Sequence, residues 1–380
     1  MRKIAVVIPK YGLVGGAEQF VSQLTGRLHA DHACHCSVFA NRWEGGHPDI
    51  AFTKIPIVSF PKFLTTLSFA WFVRKRVLAG SYDLVHTHDR IFAADLFTLH
   101  GIPHRYWIEN VRKKRPSLYD AATAWMEKKL VYEGGCRKFV AVSNLTKDIF
   151  LRQYSVDPEK VVVIHPGVEP RDYLRSDRKV ARAEIRGEYG ISENERVLVF
   201  ASMNFEIKGL DAIIEALGLL KNRGEAFRLI VAGKGNAAKY QRLAQKAGVD
   251  DRIIFTGRLA KDDLIRHYLA GDAYIMLSAF DTFGMVVLEA MAAGLPVIVS
   301  GNVGARDVVR ESENGFVIDN PADTQDIAAK IQWVTDPARR AALSQAALTT
   351  ARQNSWAVAA EKYSRLYDTI LAEKKERAAG

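Results

Sequence analysis

The chain has 380 residues, of which 48% are hydrophobic and 25% are charged, a balance typical of globular proteins. This length is too great for one ordinary hydrophobic core and predicts two domains of about 150 to 200 residues each. No stretch approaches the roughly 20 apolar residues of a membrane span, and the apolar run within residues 1–9 is too short for a secretion signal. We therefore expect a cytoplasmic protein.

The net charge of +10 is unevenly distributed along the chain. Residues 1–168 contain 23 lysines and arginines against 14 aspartates and glutamates, whereas the remaining residues contain 30 against 29. The first half therefore carries the basic surface, which favours an anionic partner such as a membrane surface or a phosphorylated acceptor.

The first half alternates short apolar strands with helical patterns. A strand at 3–9 is followed by a glycine-bearing loop and a helix at 16–28. Further strands are predicted at 34–39, 83–86, 96–100, 139–143 and 161–165. This alternation is typical of a parallel sheet that is covered by helices on both faces.

The chain contains three cysteines, Cys34, Cys36 and Cys136. An odd and sparse count makes a disulfide framework unexpected and agrees with a reducing compartment. Cys34-His35-Cys36 could suggest a metal site. On a strand, however, the two cysteines share one face while His35 points away, and no fourth ligand is in sight, so we predict no metal site here.

Aromatic and cationic residues are interleaved in two segments of the first half, residues 69–76 and 104–116. The second segment contains Arg105, Tyr106, Trp107, Arg112, Lys113, Lys114 and Arg115. Aromatic rings suit a membrane interface and cations are attracted to phosphate, so the segment is a candidate membrane or acceptor site. The alternative interpretation is a solvated basic face.

A turn at 166–170 and a charged stretch at 171–188 lead into a second series of strands. These are predicted at 196–201, 227–232, 252–256, 273–277 and 295–300, and the chain after Asp323 is helical throughout. The last helix, at about 357–375, is long enough to pack back across the first domain. We predict two Rossmann-like, doubly wound α/β domains with a cleft between them: residues 1–168 with 357–380, and residues 169–356.

Glycine-bearing loops follow several strands, at the sheet edge where open parallel sheets bind ligands. The first, Lys10–Glu18, contains Gly15 and Gly16 at a helix start, although a simple tight turn explains it equally well. In the second, Ser202–Gly209, Lys208 could meet a diphosphate as a point charge. Gly233-Lys-Gly235 and Thr256-Gly-Arg258 end later strands and could line a base pocket.

Two carboxylates, Asp281 and Glu289, are separated by seven residues in a loop that leads into a helix. We expect Asp281 in the loop and Glu289 about two turns along the helix. Such an arrangement suits a sugar nucleotide, because N–H groups at a helix start bind phosphate and a carboxylate accepts bonds from ribose hydroxyls. The alternative is a surface loop acid and a helix acid that pairs with a base.

The whole chain resembles the retaining, nucleotide-sugar-dependent glycosyltransferases of family four, which have the two-Rossmann-domain (GT-B) fold. The resemblance is carried by these segments: Gly15-Gly-Ala-Glu18, Phe97-Thr-Leu-His100-Gly, Val140-Ala-Val-Ser143, Ile164-His-Pro-Gly-Val168, Lys208-Gly209, Gly233-Lys-Gly235 and the Asp281–Glu289 run. Within the family, Trp43-Glu-Gly45 and Asn204-Phe-x-x-Lys-Gly209 are similar to the lipopolysaccharide core glucosyltransferase I group.

The resemblance implies a role for each matching residue. Glu289 would bind the ribose hydroxyls and Lys208 the diphosphate. Asp281, with the backbone of Phe283 and Gly284, would bind the donor sugar. His100 would lie near the C6 hydroxyl of that sugar, and Gly15 and Gly16 near the phosphates. The candidate catalytic residues are Asp281, His100 and Lys208, and the remaining candidate donor-binding residues are Gly15, Gly16, Gly209, Gly233, Arg258, Phe283, Gly284 and Glu289.

The implied reaction is transfer of a hexose, with UDP-glucose the expected donor, to a lipid-linked oligosaccharide such as the lipopolysaccharide inner core heptose. The enzyme would work peripherally on the inner face of the cytoplasmic membrane. Because the chain contains no Asp-x-Asp pair, we expect no metal at the diphosphate and no cofactor. We favour same-face attack guided by the leaving phosphate over a double displacement on Asp281.

Three alternatives remain open at this point. One is a mannosyl- or other hexosyltransferase of the same fold that acts on another envelope glycan or glycolipid. A nicotinamide-dependent oxidoreductase shares the sheet architecture, but the Gly-x-Gly-x-x-Gly fingerprint is missing from the first loop. A nucleic-acid-binding protein would explain the basic first half but gives the carboxylate pair no role, so we expect no nucleic-acid partner.

Overall fold

The computed structural model describes residues 1–13 and 15–379. Val14, within the first glycine loop, and Gly380, at the end of the expected first domain, lie outside the described residues. The chain forms two compact units. The first unit contains residues 1–167 and the C-terminal helix, and the second unit contains residues 168–355. Among the described residues, every helix is either too short or too polar to cross a lipid bilayer.

The first unit is built from nine strands and five helices before the chain leaves it. They are β1 (Arg2–Val7), β2 (Lys10–Tyr11), α1 (Gly16–Asp31), β3 (Cys34–Ala40), β4 (Arg42–Trp43), β5 (Ala51–Lys54), α2 (Leu64–Leu78), β6 (Leu84–Thr87), β7 (Leu96–Leu99), α3 (His104–Tyr106), which continues as a π-helix over Trp107–Arg112, α4 (Leu118–Glu133), β8 (Lys138–Ala141), α5 (Asn144–Gln153) and β9 (Val161–Val163).

The second unit repeats the alternation before the chain returns to the first. Its elements are α6 (Pro170–Leu174), α7 (Arg178–Glu188), β10 (Arg196–Ser202), α8 (Leu210–Asn222), β11 (Phe227–Gly233), α9 (Ala237–Lys246), β12 (Ile253–Gly257), α10 (Lys261–Ala270), β13 (Ala273–Met276), α11 (Met285–Ala292), β14 (Val297–Ser300), β15 (Gly315–Ile318), α12 (Thr324–Val334) and α13 (Arg340–Gln353); the returning helix is α14 (Trp356–Ala379).

The sheet of the first unit has seven parallel strands in the order β5-β3-β1-β6-β7-β8-β9. β1 lies inside it, and its residues Ile4–Val7 are buried because helices cover both faces. Cys34 and Cys36 on β3 are buried while His35 is exposed, as the strand alternation predicts. The short strands β2 and β4 form a separate parallel pair.

The C-terminal helix α14 packs on the first unit, as the sequence predicts. Tyr363 and Tyr367 are fully buried, and the Tyr367 hydroxyl lies 2.7 Å from Nδ1 of His86 on β6. Near the amino end of β1, Arg2 donates to Asp368 over 2.8 Å. These contacts hold α14 against the neighbouring strands β1 and β6.

The sheet of the second unit has six parallel strands in the order β12-β11-β10-β13-β14-β15. The neighbouring strands β10 and β13 are nearly all buried apolar residues, which is the pattern of a doubly covered sheet. At the start of β13, the carboxylate of Asp272 is 1% exposed and accepts bonds from Arg186, Arg182 and the Val197 amide at 2.8 to 3.0 Å. Arg340 adds a fourth cation at 2.9 Å.

The expected strands all exist, with ends that differ by one or two residues. Sequence reasoning missed β5 and β15, which are four residues long, and the two-residue pair β2 and β4. Such short edge strands depend on pairing with the rest of the sheet more than on their own apolar pattern. The charged stretch after residue 170 forms α6 and α7, and α7 buries Ala181 and Ile185 at helical spacing.

Candidate functional site

Lys208 and Asp281 form an ion pair at the carboxyl edge of the second sheet. Lys208 lies in the loop after β10, and Asp281 lies in the loop after β13. Since β10 and β13 are neighbours in the sheet, the two loops start side by side. The ammonium of Lys208 donates to Oδ2 of Asp281, and the two side chains are 18% and 20% exposed. The sequence placed both residues at the site, and the structure joins them directly.

The backbone around Asp281 is held by the segment that follows β14. The Asp281 amide donates to the Asn302 carbonyl and the Gly304 amide donates to the Asp281 carbonyl, both over 3.0 Å. The other carboxylate oxygen, Oδ1, accepts from the amide of Phe283 over 3.2 Å. Both oxygens of the carboxylate are therefore engaged, and the Phe283 amide, expected to contact a sugar, is used to orient Asp281.

The loop that carries Lys208 is fixed against the end of β13. The Ser278 hydroxyl and the Ala279 amide both donate to the Ile207 carbonyl, over 3.1 and 2.7 Å. Gly209, the residue before α8, has φ +71°, and a Cβ there would collide with the carbonyl oxygen of Leu277. Only glycine fits this position, and the start of α8 is thereby brought beside Lys208.

Glu289 lies nearer the start of its helix than the sequence suggests. Gly284 has φ +88°, so the loop continues through it and α11 begins at Met285. Glu289 is the fifth residue of α11, a little over one turn in rather than the expected two. The left-handed glycine accounts for the difference, because it delays the first helical residue.

The Glu289 carboxyl is half-buried, and its side chain makes no hydrogen bond or close ion pair with the described residues. Burial raises its pKa, and only the charge of Lys261 opposes this. A carboxylate in such a place is unfavourable unless a partner arrives. Glu289 is therefore suited to accept hydrogen bonds from a ligand.

Three buried tyrosines feel the charge of Glu289, and sequence reasoning missed them. Burial places the pKa of Tyr173, Tyr268 and Tyr274 well above the usual value, and the charge of Glu289 contributes to each shift. The Tyr268 hydroxyl is buried without a hydrogen-bond partner among the described residues. The tyrosines belong to α6, α10 and β13, so only the packing of three distant segments brings them together.

The other glycine-bearing strand ends lie along the same sheet edge. Gly233 ends β11 with φ +124°, and a Cβ there would collide with the Ser202 carbonyl at the end of β10. Arg258 follows β12, two places from β10 in the strand order, and is exposed. Gly233 therefore lies beside the Lys208 loop, whereas Arg258 lies further out.

In the first unit, Gly12 is a glycine that the fold requires. It has φ +68°, and a Cβ there would collide with the carbonyl oxygen of Glu44. A Cβ on Gly16 would meet nothing, and one on Gly15 would meet only the flexible carboxylate of Glu18. The fold thus leaves open space at Gly16, and the expected approach of a phosphate to Gly15 and Gly16 stays a prediction.

His100, at the end of β7, belongs to a buried group of histidines. Its Nε2 lies 2.9 Å from Nδ1 of His88, and its ring packs edge-on against Phe20 at 4.7 Å. Burial lowers the pKa of His100 to about 3, so the imidazole is neutral at physiological pH. A cavity of about 60 Å³, lined also by His88, lies beside it. Sequence reasoning missed His88, although His-x-His at a strand end is a usable signal.

The basic segment of the first unit is a surface feature. Arg112, Lys113, Lys114 and Arg115 are exposed, and Arg105 is exposed and paired with Glu109 over 2.8 Å. Tyr106 and Trp107 are half-buried rather than projecting. The unit also exposes large apolar side chains that the sequence did not single out: Phe60, Leu78, Leu118 and Trp125.

Two family models match the chain. The model for Glycosyltransferase Family 4 matches residues 14–172, and the model for Glycosyl transferases group 1 matches residues 181–350. The D-inositol 3-phosphate glycosyltransferase of Rhodococcus jostii is 30% identical over 299 residues, which are 73% of this chain and 64% of that protein.

Solved structures share the architecture over nearly the full length. WaaG, a glycosyltransferase involved in lipopolysaccharide biosynthesis, superposes with a TM-score of 0.77 and 22% identity, covering 96% of this chain and 99% of WaaG. Anabaena Alr3699/HepE, solved with UDP and glucose, superposes with a TM-score of 0.73 and 20% identity. The match covers 97% of this chain and 100% of HepE. These likenesses establish the predicted two-domain GT-B fold. The two matched regions together span most of the sequence, and each resembles a glycosyltransferase family model.

Proposed function

We propose that the protein is a retaining glucosyltransferase that uses UDP-glucose and acts on a lipid-linked, phosphate-bearing oligosaccharide, such as the inner core heptose of lipopolysaccharide. The observation that carries the proposal is the arrangement of Lys208, Asp281 and Glu289 at one sheet edge of the second unit. The two matching family models support a glycosyltransferase over the oxidoreductase and nucleic-acid alternatives.

Glu289 is the proposed ribose-binding residue. Its half-buried carboxylate lacks a hydrogen-bond partner in the described part of the chain, and burial raises its pKa. Two adjacent hydroxyls would supply the missing donors, since ionised carboxylates accept several hydrogen bonds. Those hydrogen bonds would stabilise the ionised form.

Lys208 is the proposed diphosphate-binding residue. Without a ligand its charge is balanced by Asp281. A diphosphate carries more negative charge than one carboxylate and would compete for the ammonium, with help from the N–H groups at the starts of α8 and α11. Asp281, partly released from Lys208, could then accept a hydrogen bond from a sugar hydroxyl.

The proposed chemistry is same-face substitution. The bond between the anomeric carbon and the diphosphate oxygen breaks as the acceptor oxygen bonds to the same face, and the acceptor proton passes to the leaving phosphate. Lys208 and the two helix starts would stabilise the charge that develops on the diphosphate. Asp281 is poorly suited as a nucleophile, because the Phe283 amide occupies Oδ1 and a sugar hydroxyl would take the oxygen that Lys208 releases. No step requires a metal or a cofactor.

The donor and acceptor assignments rest on charge and on the named relatives. The exposed cations near residues 112–115 suit a phosphate-bearing acceptor on the inner face of the cytoplasmic membrane. WaaG is involved in lipopolysaccharide biosynthesis, and HepE was solved with UDP and glucose. The Rhodococcus relative is named for an inositol phosphate acceptor, which supports a second candidate: a hexosyltransferase for another phosphorylated envelope glycan or glycolipid.

The test is a transfer assay with the purified full-length protein. UDP-glucose, UDP-galactose and GDP-mannose are each offered with lipopolysaccharide that lacks core glucose, and with inositol phosphate. We expect mass spectrometry to find one added hexose only with UDP-glucose and the lipopolysaccharide acceptor, and NMR to find the anomeric configuration of the donor retained. Transfer from another donor, transfer to inositol phosphate alone, or inverted product would overturn the assignment.

A further inference from the structure

Three potential metal ligands converge at the end of α1 in the first unit. His29 lies in the last turn of α1, and His47 and Asp49 lie in the segment between β4 and β5. One ligand atom from each residue lies within 4.8 Å of those of the other two. Nδ1 of His47 is 3.6 Å from Oδ2 of Asp49, and the rings of His29 and His47 are 5.1 Å apart.

A second observation points to a missing partner in this group. Nδ1 of His29 is shielded from water and has no hydrogen-bond partner within residues 1–13 and 15–379. Buried polar atoms in folded proteins are normally paired, so an unpaired imidazole nitrogen requires an explanation. The side chains of His47 and Asp49 are 37% and 76% exposed, which leaves an ion free access from solvent.

The donor set selects the chemistry of the ion. Two imidazoles and one carboxylate suit Zn²⁺ and related transition metals, whereas Mg²⁺ and Ca²⁺ prefer oxygen ligands alone. Metal–ligand bonds of about 2.0 to 2.2 Å separate the ligand atoms of a tetrahedral zinc centre by roughly 3.4 Å. The His47–Asp49 distance of 3.6 Å is close to this value. Nδ1 of His47 also accepts from the Asp49 amide over 3.4 Å, so rotation of the exposed His47 and Asp49 side chains would be needed to free it and bring both to His29.

We propose that His29, His47 and Asp49 form a binding site for a transition metal of the zinc class, with water in the fourth position. The ion would join the end of α1 to the segment between β4 and β5. That segment begins at Glu44, whose amide donates to the Tyr11 carbonyl over 3.0 Å and whose carbonyl lies against Gly12. The metal would therefore hold in place the segment after β4, whose Glu44 contacts Tyr11 and Gly12 of the first glycine-bearing loop.

The test uses untagged full-length protein that has been stripped with a chelator and dialysed. Isothermal titration with Zn²⁺ and the visible spectrum of bound Co²⁺ measure stoichiometry and ligand geometry. We expect one equivalent to bind, intense tetrahedral Co²⁺ bands, and affinity at least tenfold lower in H29Q, H47Q and D49N. The control is H32A, which removes a neighbouring histidine outside the cluster and should bind like the parent.

Circular dichroism in the absence of metal establishes that each variant is folded, and H47N replaces H47Q if H47Q is unfolded. The proposal is overturned if the parent shows no saturable Zn²⁺ binding. It is equally overturned if folded H47Q and D49N bind like the parent, or if H32A loses as much affinity as they do.

Discussion

The ammonium of Lys208 donates to the carboxylate of Asp281, which joins the loops that follow two adjacent parallel strands. Each side chain neutralises the other while no diphosphate is bound, so the pair keeps Lys208 in position at little electrostatic cost. In the proposed reaction the same ammonium meets the diphosphate, and its charge matters most as the leaving group departs.

Replacing Lys208 by alanine should therefore reduce turnover strongly. We expect kcat to fall on the order of 10²- to 10³-fold, the usual effect of removing one donor to a developing anion. Acceptor KM should change little. Steady-state kinetics on K208A measure both constants, with K239A, which removes an exposed lysine of α9 paired with Glu206, as the matched control. An unchanged kcat in K208A would contradict the assigned role.

Replacing Glu289 by alanine should weaken use of the donor. The ribose hydroxyls would lose a hydrogen-bond acceptor, and leaving them unpaired costs about 1 to 3 kcal/mol. This cost corresponds to a decrease of roughly five- to 150-fold in kcat/KM for UDP-glucose. The same kinetic assay on E289A measures the change, and E215A, which removes an exposed glutamate of α8, is the control. Near-normal transfer by E289A would remove the ribose assignment.

The raised pKa of Glu289 also predicts a pH-dependent stability difference. The folded protein holds this proton more tightly than the unfolded chain, so the ionised carboxylate destabilises the fold above the raised pKa. That cost disappears as the pH falls below the unfolded value of about 4.3. Without ligand, E289Q should melt at a higher temperature than the parent at pH 8, and the difference should vanish near pH 4. Equal melting temperatures at pH 8 would show that burial does not penalise the charge.

Loss of the Asp272 carboxylate should destabilise the second unit. Arg182 and Arg186 would lose their shared buried partner, and breaking such a pair typically costs about 3 to 5 kcal/mol. Urea denaturation of D272A measures the free energy of unfolding. E184A, which breaks the exposed pair with Arg266, should cost less than about 1 kcal/mol. Similar losses in the two variants would mean that the Asp272 cluster is not a structural anchor.

The exposed basic segment should bind anionic membranes. Parent protein should co-sediment with vesicles that contain anionic lipid at low salt and be released near 1 M salt, where the Debye length is about 3 Å. Changing Lys113, Lys114 and Arg115 to serine should weaken vesicle binding, because each cation near an anionic surface contributes about 1 kcal/mol to the binding free energy. The matched variant changes Lys239, Arg242 and Lys246 of α9, which are exposed in the second unit. If the two triple variants bind equally, or if the parent binds neutral and anionic vesicles equally, the basic segment is only a solvated surface and does not bind membranes.

Sequence patterns predicted the sheet architecture and the loops that carry Lys208 and Asp281, because apolar runs and glycines are local signals. The pairing of those two side chains depends on β10 and β13 being neighbours, although two strands intervene between them in the chain. The depth of Glu289 in α11 was misjudged because the conformation of Gly284 is set by its loop. The tyrosines that feel the charge of Glu289 come from separate elements, which no local pattern can identify.

The most direct test of the account is isothermal titration of the full-length protein and its K208A and E289A variants with UDP. The account predicts that the parent binds UDP without added metal and that both variants bind it more weakly, E289A also losing affinity for uridine alone. NAD and oligonucleotides should give no binding. If both variants bind UDP as tightly as the parent, Lys208 and Glu289 do not form the donor site and the account is wrong.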